Sequence, residues 1–491
     1  MASSRVSSAK WLVGLSSLAA LALGCTSERI VFREPINPPP DEASGLLGYF
    51  DVTTNQTSCG NCHIGQQSEW ENTAHAGAFA TLQNASNVQA FCYSCHTVNE
   101  RGNALTVASG WDVVQDEAYQ DVQCESCHGP GFNHAENPDN ADNVPLASIK
   151  VSIDGENNCA ECHNGEHHPF VNEWVTSRHA VPNPTASVRA ECVGCHTAQG
   201  AFAAWGVRAN YQEAAAPVGQ HEGIVCAVCH DPHGGRNGLE PGSGEGGPGS
   251  IVGQLRFPID VPSQEQNLCV KCHHKRAEPE TESATIRGPH SPEGPLLLGE
   301  GAGWFPPDFQ PEIAKILGTH GSTGNPKLCA TCHVAAFTIN DANTGEFVVR
   351  SVGHSFKAIP CVDGVGAPTN ADDCAITERT FASCATAGCH GSQDVARSAM
   401  TTAEARITQL VVQLDAMLAL PEVAPDNVQN DGRFTVADGA WFNSQLAKMT
   451  GSPVHNPFLI EQLLIATINQ LRTTYNLPVT VISISLERQI T

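Results

Sequence analysis

Methionine, tyrosine, basic charge and long apolar runs are all scarce in this chain of 491 residues. Its four Met are Met1, Met400, Met417 and Met449, and it has five Tyr and 6 % aromatics in all. The first half shows no long stretch of helical or strand periodicity, so its own side chains supply little conventional core. Lys and Arg total 26 against 51 Asp and Glu, a formal charge of −25. Phosphate backbones need a basic face, which disfavours nucleic acid as a partner. After the first 24 residues no stretch is long or apolar enough to cross a bilayer.

Cysteine, by contrast, is abundant: 21 residues, 18 of them in nine motifs. Eight are Cys-x-x-Cys-His: Cys59-Cys62-His63, Cys92-Cys95-His96, Cys124-Cys127-His128, Cys159-Cys162-His163, Cys192-Cys195-His196, Cys226-Cys229-His230, Cys269-Cys272-His273 and Cys329-Cys332-His333. The ninth has four residues between its thiols, Cys384-Cys389-His390. One such motif alone reads equally as half a zinc site or a redox dithiol. Eight in one chain read as attachment sites for c-type haem, where two thiols hold the porphyrin and the His ligates iron. We number them sites one to nine, for nine covalent haems.

Three cysteines remain. Cys361 and Cys374 flank the loop CVDGVGAPTNADDC. Haem attachment through thioethers belongs outside the cytoplasm, where disulfides persist, so these two are expected to pair. A loop of this length contributes roughly 3 kcal/mol by chain entropy. Cys25 follows Ala22-Leu23-Gly24, behind basic Arg5 and Lys10 and the short apolar run WLVGLSSLAALAL. Residues 1–24 are expected to be a bacterial lipoprotein signal, with Cys25 acylated and residues 25–50 an extended tether; a plain cleaved signal is the alternative. This places the chain as an exported Gram-negative lipoprotein at the outer membrane, on either face.

The first six sites form an internal repeat. Cys59, Cys92 and Cys124 recur as Cys159, Cys192 and Cys226, at offsets of 100, 100 and 102 residues. EWENTAHA around His75 becomes EWVTSRHA around His179, and CYSCHT becomes CVGCHT. Residues 51–235 are thus expected to be a duplicated triple-haem module whose copies stack. Residues 236–268, opening on a Gly-rich run, are expected to be a linker. Residues 269–398 carry sites seven to nine, and 399–491 should be helical. Ile407, Leu410, Val411, Leu414, Met417 and Leu418 follow helical spacing, as do Leu464, Ile468, Leu471 and Tyr475. The tail PVTVISISLE alternates like a short strand. The expected class is mainly α with many loops and little β, its core supplied largely by haem, so that haem-free chain should not fold.

With Met nearly absent, His is the plentiful second ligand for iron. Nine of the 21 His end the motifs, leaving twelve. His75 and His179 are the leading candidates, fixed at the same distance from a Trp in both repeats. His134 and His233 follow the third site of each unit. His221, His274, His290, His320, His354 and His455 complete ten candidates for nine positions, with His167 and His168 left as bystanders. Two imidazoles close an iron to substrate and favour electron transfer over bond-making.

The combination of Trp-x-x-x-x-His-Ala, CESCHGPG-x-x-H (Glu125, His134) and CAVCHDPHG resembles the superfamily of the nitrifier tetrahaem cytochrome, hydroxylamine oxidoreductase and pentahaem nitrite reductase. That resemblance covers residues 59–235 well and 269–395 only through the motifs. It implies a multihaem cytochrome c fold built around a chain of stacked haems. The CHH at His273-His274 and the wide ninth site resemble small tetrahaem cytochromes of sulfate reducers. The nitrite reductases' Cys-x-x-Cys-Lys site has no counterpart here, and no Tyr can be matched to the hydroxylamine-oxidising cross-link, so no catalytic residue carries over. The expected function is electron transfer in anaerobic or extracellular respiration. Expected partners are quinol-linked or periplasmic cytochromes, steered by the acidic surface, and a porin–cytochrome conduit. The alternatives are an oxidoreductase with one open haem acting on nitrogen or sulfur oxyanions, and a subunit of a cytochrome filament.

Overall fold

The computed structural model describes residues 36–152, 158–165, 167–234, 254–274, 279, 285–311, 320–322, 324–340, 344–385 and 389–478. The signal segment 1–24, Cys25, residues 26–35 of the tether, the Gly-rich run 235–253 and most of the tail PVTVISISLE lie outside the described residues. Pro38–Thr491 is one unit, separate from Met1–Asn37.

Through the repeats the backbone is a succession of short turns. Strands β1 (Tyr49–Asp51) and β2 (Gln56–Thr57) pair antiparallel ahead of helix α1 (Ile64–Trp70). The second copy places α2 (Phe170–Trp174) in the position of α1, then α3 (Ala198–Trp205). Strands β3 (Phe337–Asn340) and β4 (Phe347–Ser351) form a second antiparallel hairpin. Among the described residues no helix is long and apolar enough to cross a membrane. The class is therefore mainly helical with many loops and a few short strands.

Apolar packing is unevenly shared. In the first repeat the buried side chains form two small groups, Tyr49, Trp70, Ala76 and Ala118, and Leu46, Val98 and Tyr119. The second repeat has a larger core around Trp174, Phe202, Trp205 and Val228. Phe257 and Leu268 belong to that core, and buried Arg256 donates to Asp231 at 3.1 Å and to the Ala227 carbonyl at 2.7 Å. The described part of the segment 236–268 is thus packed against the second repeat rather than spanning open space.

The C-terminal region is an ordinary three-helix core. Ser392 caps α4 (Gln393–Leu418) by accepting from the Val395 N–H, so this helix begins ahead of residue 399. Thr435 and Asp438 cap α5 (Val436–Lys448) reciprocally. Asn456 caps α6 (Pro457–Tyr475), with Pro457 at its first position, where a missing N–H costs nothing. Ile407, Leu410 and Leu414 of α4 meet Leu459, Leu463, Leu464 and Ile468 of α6, closed on one side by Leu296 and Ala302. Sites seven to nine therefore share a core with the last ninety residues. The Cys361–Cys374 disulfide is formed, with Cα atoms 6.0 Å apart.

Asn443 ties this core to the preceding segment. Its Oδ1 accepts from the Trp304 N–H at 2.8 Å, and its Nδ2 donates to the Trp304 carbonyl at 2.7 Å and to Thr467 Oγ1 at 2.8 Å. Asn443→Ala leaves the Trp304 backbone groups buried without partners, a loss of about 1–3 kcal/mol. A lowered denaturation midpoint of the haem-loaded protein, with haem content unchanged, is the expected result.

Candidate haem-binding site

The attachment turns follow from one backbone bond. In site one the His63 N–H donates to the Cys59 carbonyl at 2.9 Å, and His128, His163, His230 and His273 repeat this with Cys124, Cys159, Cys226 and Cys269 at 2.8–2.9 Å. A bond spanning four residues is one helical turn, which sets the first Cys and the His on the same face.

Eight of the nine motif His rings face another His ring from a remote segment. The pairs are His63–His134, His75–His163, His128–His233, His179–His273, His196–His290, His230–His354, His320–His390 and His333–His455. Their ring centroids lie 6.0–6.4 Å apart, at interplanar angles from 16° to 73°. Metal–imidazole bonds of about 2.0–2.1 Å put the centroids of two opposed ligands roughly 6.3 Å apart. The residues present therefore fit an iron held between two imidazoles. Each pair offers two protein ligands, and among the described residues no group of three or more His, Cys, Asp or Glu gathers to hold a bare ion. A porphyrin supplies the other four donors.

Hydrogen bonds orient the rings. Nδ1 donates to a backbone carbonyl in His96 (Ala78, 2.7 Å), His128 (Pro145, 2.7 Å), His320 (Val454, 2.8 Å) and His333 (Phe356, 2.9 Å). That bond fixes the proton on Nδ1 and leaves the Nε2 lone pair for a metal. Burial lowers the pKa of His75, His128 and His333, and takes His163, His179 and His455 down to about 4. Neighbouring His deepen the last three shifts, His75 most for His163, His273 for His179 and His333 for His455. The rings are held neutral, the form that ligates. His273 is the exception, raised by its hydrogen bond to Glu293.

Of the ten His singled out for the second position, eight occupy the pairs. His221 stands apart, its Nδ1 3.2 Å from Thr197 Oγ1 and its Nε2 donating to the Ala216 carbonyl at 3.1 Å. Both of its nitrogens are thereby engaged. His274 bonds the Val270 carbonyl through Nδ1 at 3.0 Å and takes no part in a pair. His167 and His168 lie together beside site four, and His96 is the motif ring without a partner among the pairs above.

Thiols from different sites also lie close together: Cys59 beside Cys124, Cys95 beside Cys162, Cys159 beside Cys226, Cys195 beside Cys272 and Cys269 beside Cys329. Cys127 and Cys159, Cys229 and Cys272, and Cys332 with Cys384 and Cys389 lie within electrostatic range.

The repeated Trp has a reason that its spacing did not disclose. Trp70 Nε1 donates to the Val122 carbonyl and Trp174 Nε1 to the Ile224 carbonyl, both at 2.9 Å. The N–H groups of Val122 and Ile224 donate in turn to the carbonyls of His75 and His179, at 3.2 and 2.8 Å. Each Trp thereby locks the approach to the third site against the His that precedes it. Two carboxylates were also hidden in the motifs. Glu173 accepts from the N–H of Val352 at 2.8 Å and of His354 at 2.6 Å, setting His354 opposite His230. Glu125 is fully buried and accepts from the N–H groups of Leu47, Gly48 and Gly131 at 2.7–2.9 Å.

Known proteins point the same way. The family described as cytochrome c554 and c-prime matches residues 58–129. C-type polyheme cytochrome OmcB of Geobacter sulfurreducens is 28 % identical over 212 residues, which span 40 % of this chain and 26 % of OmcB. Multiheme cytochrome MtrA of Shewanella baltica is 26 % identical over 165 residues, 29 % of this chain and 45 % of MtrA. The chain thus spans between a quarter and a half of these relatives. The crystal structure of outer cell wall cytochrome OcwA aligns with a TM-score of 0.46 at 20 % identity, over 77 % of this chain and 75 % of that one. Paired imidazoles behind Cys–Cys–His turns, in a chain similar in sequence to OmcB and MtrA, define a multihaem c-type cytochrome. Its cofactor is covalently bound haem c.

Burial pushes the Glu125 carboxyl up to about 7 from an ordinary 4.5, against the three backbone N–H groups that favour the ion. A carboxyl raised in the folded state binds more protons there than in the unfolded chain. Its contribution is complete below pH 4.5 and declines as pH rises towards 7. Unfolding free energy measured across that interval should lose this downward slope in Glu125→Gln.

Proposed function

We propose that the protein is an outer-membrane lipoprotein that transfers electrons through nine covalent haems, eight of them held between the imidazole pairs described above. The facing rings at 6.0–6.4 Å carry this reading. Haem c supplies a reversible one-electron iron couple. The chain's own task is to close each iron with a second imidazole and to hold successive sites in contact.

The nearness of thiols from different sites supports an order in which sites one, three, four, six, seven, eight and nine follow one another, with site two beside site four and site five beside site seven. The order is a line with two side branches, repeated once per triple-haem module. An electron arriving at one end passes between neighbouring sites with no substrate bound on the way. The acidic surface, at a formal −25, suits cationic patches on donor and acceptor cytochromes, within the periplasm or at a porin–cytochrome conduit. Acylation of Cys25 supplies the membrane attachment.

Low-temperature EPR of the oxidised haem-loaded protein, followed by optical titration of the reduced form with carbon monoxide, tests the reading. Low-spin signals throughout and no carbon monoxide uptake are expected. His179→Ala should convert one haem in nine to a high-spin, carbon monoxide-binding form. A parent protein in which several haems already bind carbon monoxide would contradict the reading and favour an oxidoreductase.

A further inference from the structure

We infer that His168 is the second ligand of the haem at site two, opposite His96. The inference rests on the paired-imidazole reading above and assigns the ninth position.

The repeat supplies the first argument. His75 of the first unit faces His163, the first site of the second unit, and His179 of the second unit faces His273, which stands in the same relation one step on. The paired rings thus advance by one unit. His196 of site five faces His290, which lies in the chain segment leaving site seven. Moved back by one unit, site five becomes site two and site seven becomes site four. The partner of His96 should then come from the segment leaving site four. That segment begins at His163 and carries His167, His168 and His179, and His179 already faces His273.

The thiols make the same translation independently. Cys195 of site five lies beside Cys272 of site seven, and Cys95 of site two beside Cys162 of site four. Glu161 and Arg101 reinforce the second contact. Glu161 Oε2 accepts from the Gly102 N–H at 2.5 Å, and Arg101 Nη1 donates to the Glu161 carbonyl at 3.4 Å. The attachment turn of site four is therefore seated against the chain leaving site two, and that of site seven lies beside the thiol of site five.

Local geometry separates His168 from His167. His168 lies within electrostatic range of His96. Its backbone is constrained by Pro169 and by a 2.8 Å bond from the Phe170 N–H to its carbonyl, and its ring lies near-parallel to that of Phe170 at 6.4 Å. His163, the other ring nearby at 5.7 Å, already faces His75. On the opposite side His96 is fixed through its Nδ1 to the Ala78 carbonyl, which leaves Nε2 for iron. His221 and His274, the other two unpaired candidates, lie with sites five and seven: His221 bonds Thr197, beside His196, and His274 follows His273 directly.

The test uses the full haem-loaded chain. His168→Ala should give one additional high-spin haem in nine that binds carbon monoxide after reduction, and His167→Ala should leave every signal as in the parent. His168→Met keeps six ligands on the iron, so it should bind no carbon monoxide but raise the potential of a single haem in a redox titration. His179→Ala serves as the control. If it opens a haem and His168→Ala does not, the assignment of His168 is overturned while the paired-imidazole reading stands. A carbon monoxide-binding haem already present in the parent and unchanged by His168→Ala overturns it equally. If neither variant opens a haem, the paired-imidazole reading itself has failed.

Discussion

Two neutral imidazoles held about 6 Å apart gain little from each other, since the gap is too wide for contact and too narrow to be filled by solvent at both faces. Something must occupy that space for the arrangement to be worth forming. The eight pairs join residues between 70 and 124 positions apart in sequence. Closing each loop carries an entropy cost that grows with the logarithm of its length. In the first repeat the buried groups number four and three residues, far too few to offset several such closures. Metal–ligand bonds and the apolar faces of the porphyrins are what close the account. Folding and cofactor attachment are then a single process, as in other small domains whose core is a metal site.

The same constraint explains where conventional structure appears. Where motifs recur about every 33 residues, the chain needs only turns between them, and short helices such as α1 and α2 suffice. Where the sites spread out towards the C-terminus, α4, α5 and α6 build a core of leucine and isoleucine. That core is not separate from the haem sites. The short helix Ser452–His455 emerges between α5 and α6, and its His455 ring faces His333 while the Val454 carbonyl holds the His320 ring against His390. One turn, clamped by Asn456 to the Leu296 carbonyl at 3.0 Å, thus serves the last two sites.

The helical C-terminus could be read from the sequence, because it is a local pattern of apolar residues, and the motif spacing and repeat offset are local patterns of the same kind. The Cys361–Cys374 pair was likewise legible, since every other thiol after Cys25 had an assignment. Partner His residues are a different kind of information. His75 serves the next unit rather than its own, and His233 faces back to His128 in the preceding unit. Those relations appear only when the units are stacked. His221 and His274 fit the sequence criteria as well as His290 does, and only the carbonyl bonded to the His221 Nε2 distinguishes them. Glu125 and Glu173 left no signal beyond lying inside recurring motifs, because backbone N–H acceptors are defined by where remote chain segments pass. Arg256 and Phe257 read as linker for the same reason: a Gly-rich run gives no notice of where packing resumes.

Ligands that cross between units also explain why the repeat holds together as one body. Within a unit, Trp70 and Trp174 join the first and third sites by hydrogen bonds that any triple-site module could make alone. Between units the connection is made by His75 to His163, by His128 to His233 and by the thiols of Cys95 and Cys162. A single module would therefore be left with incomplete iron sites at its edges, and a second module completes them. After site seven the repeat gives way to the hairpin β3–β4 and the helical core. There His354, held by Glu173 of the second repeat, faces His230 across the boundary. The C-terminal region thus acts as the cap of a short repeat array, supplying from different elements the ligands that another module would otherwise have brought.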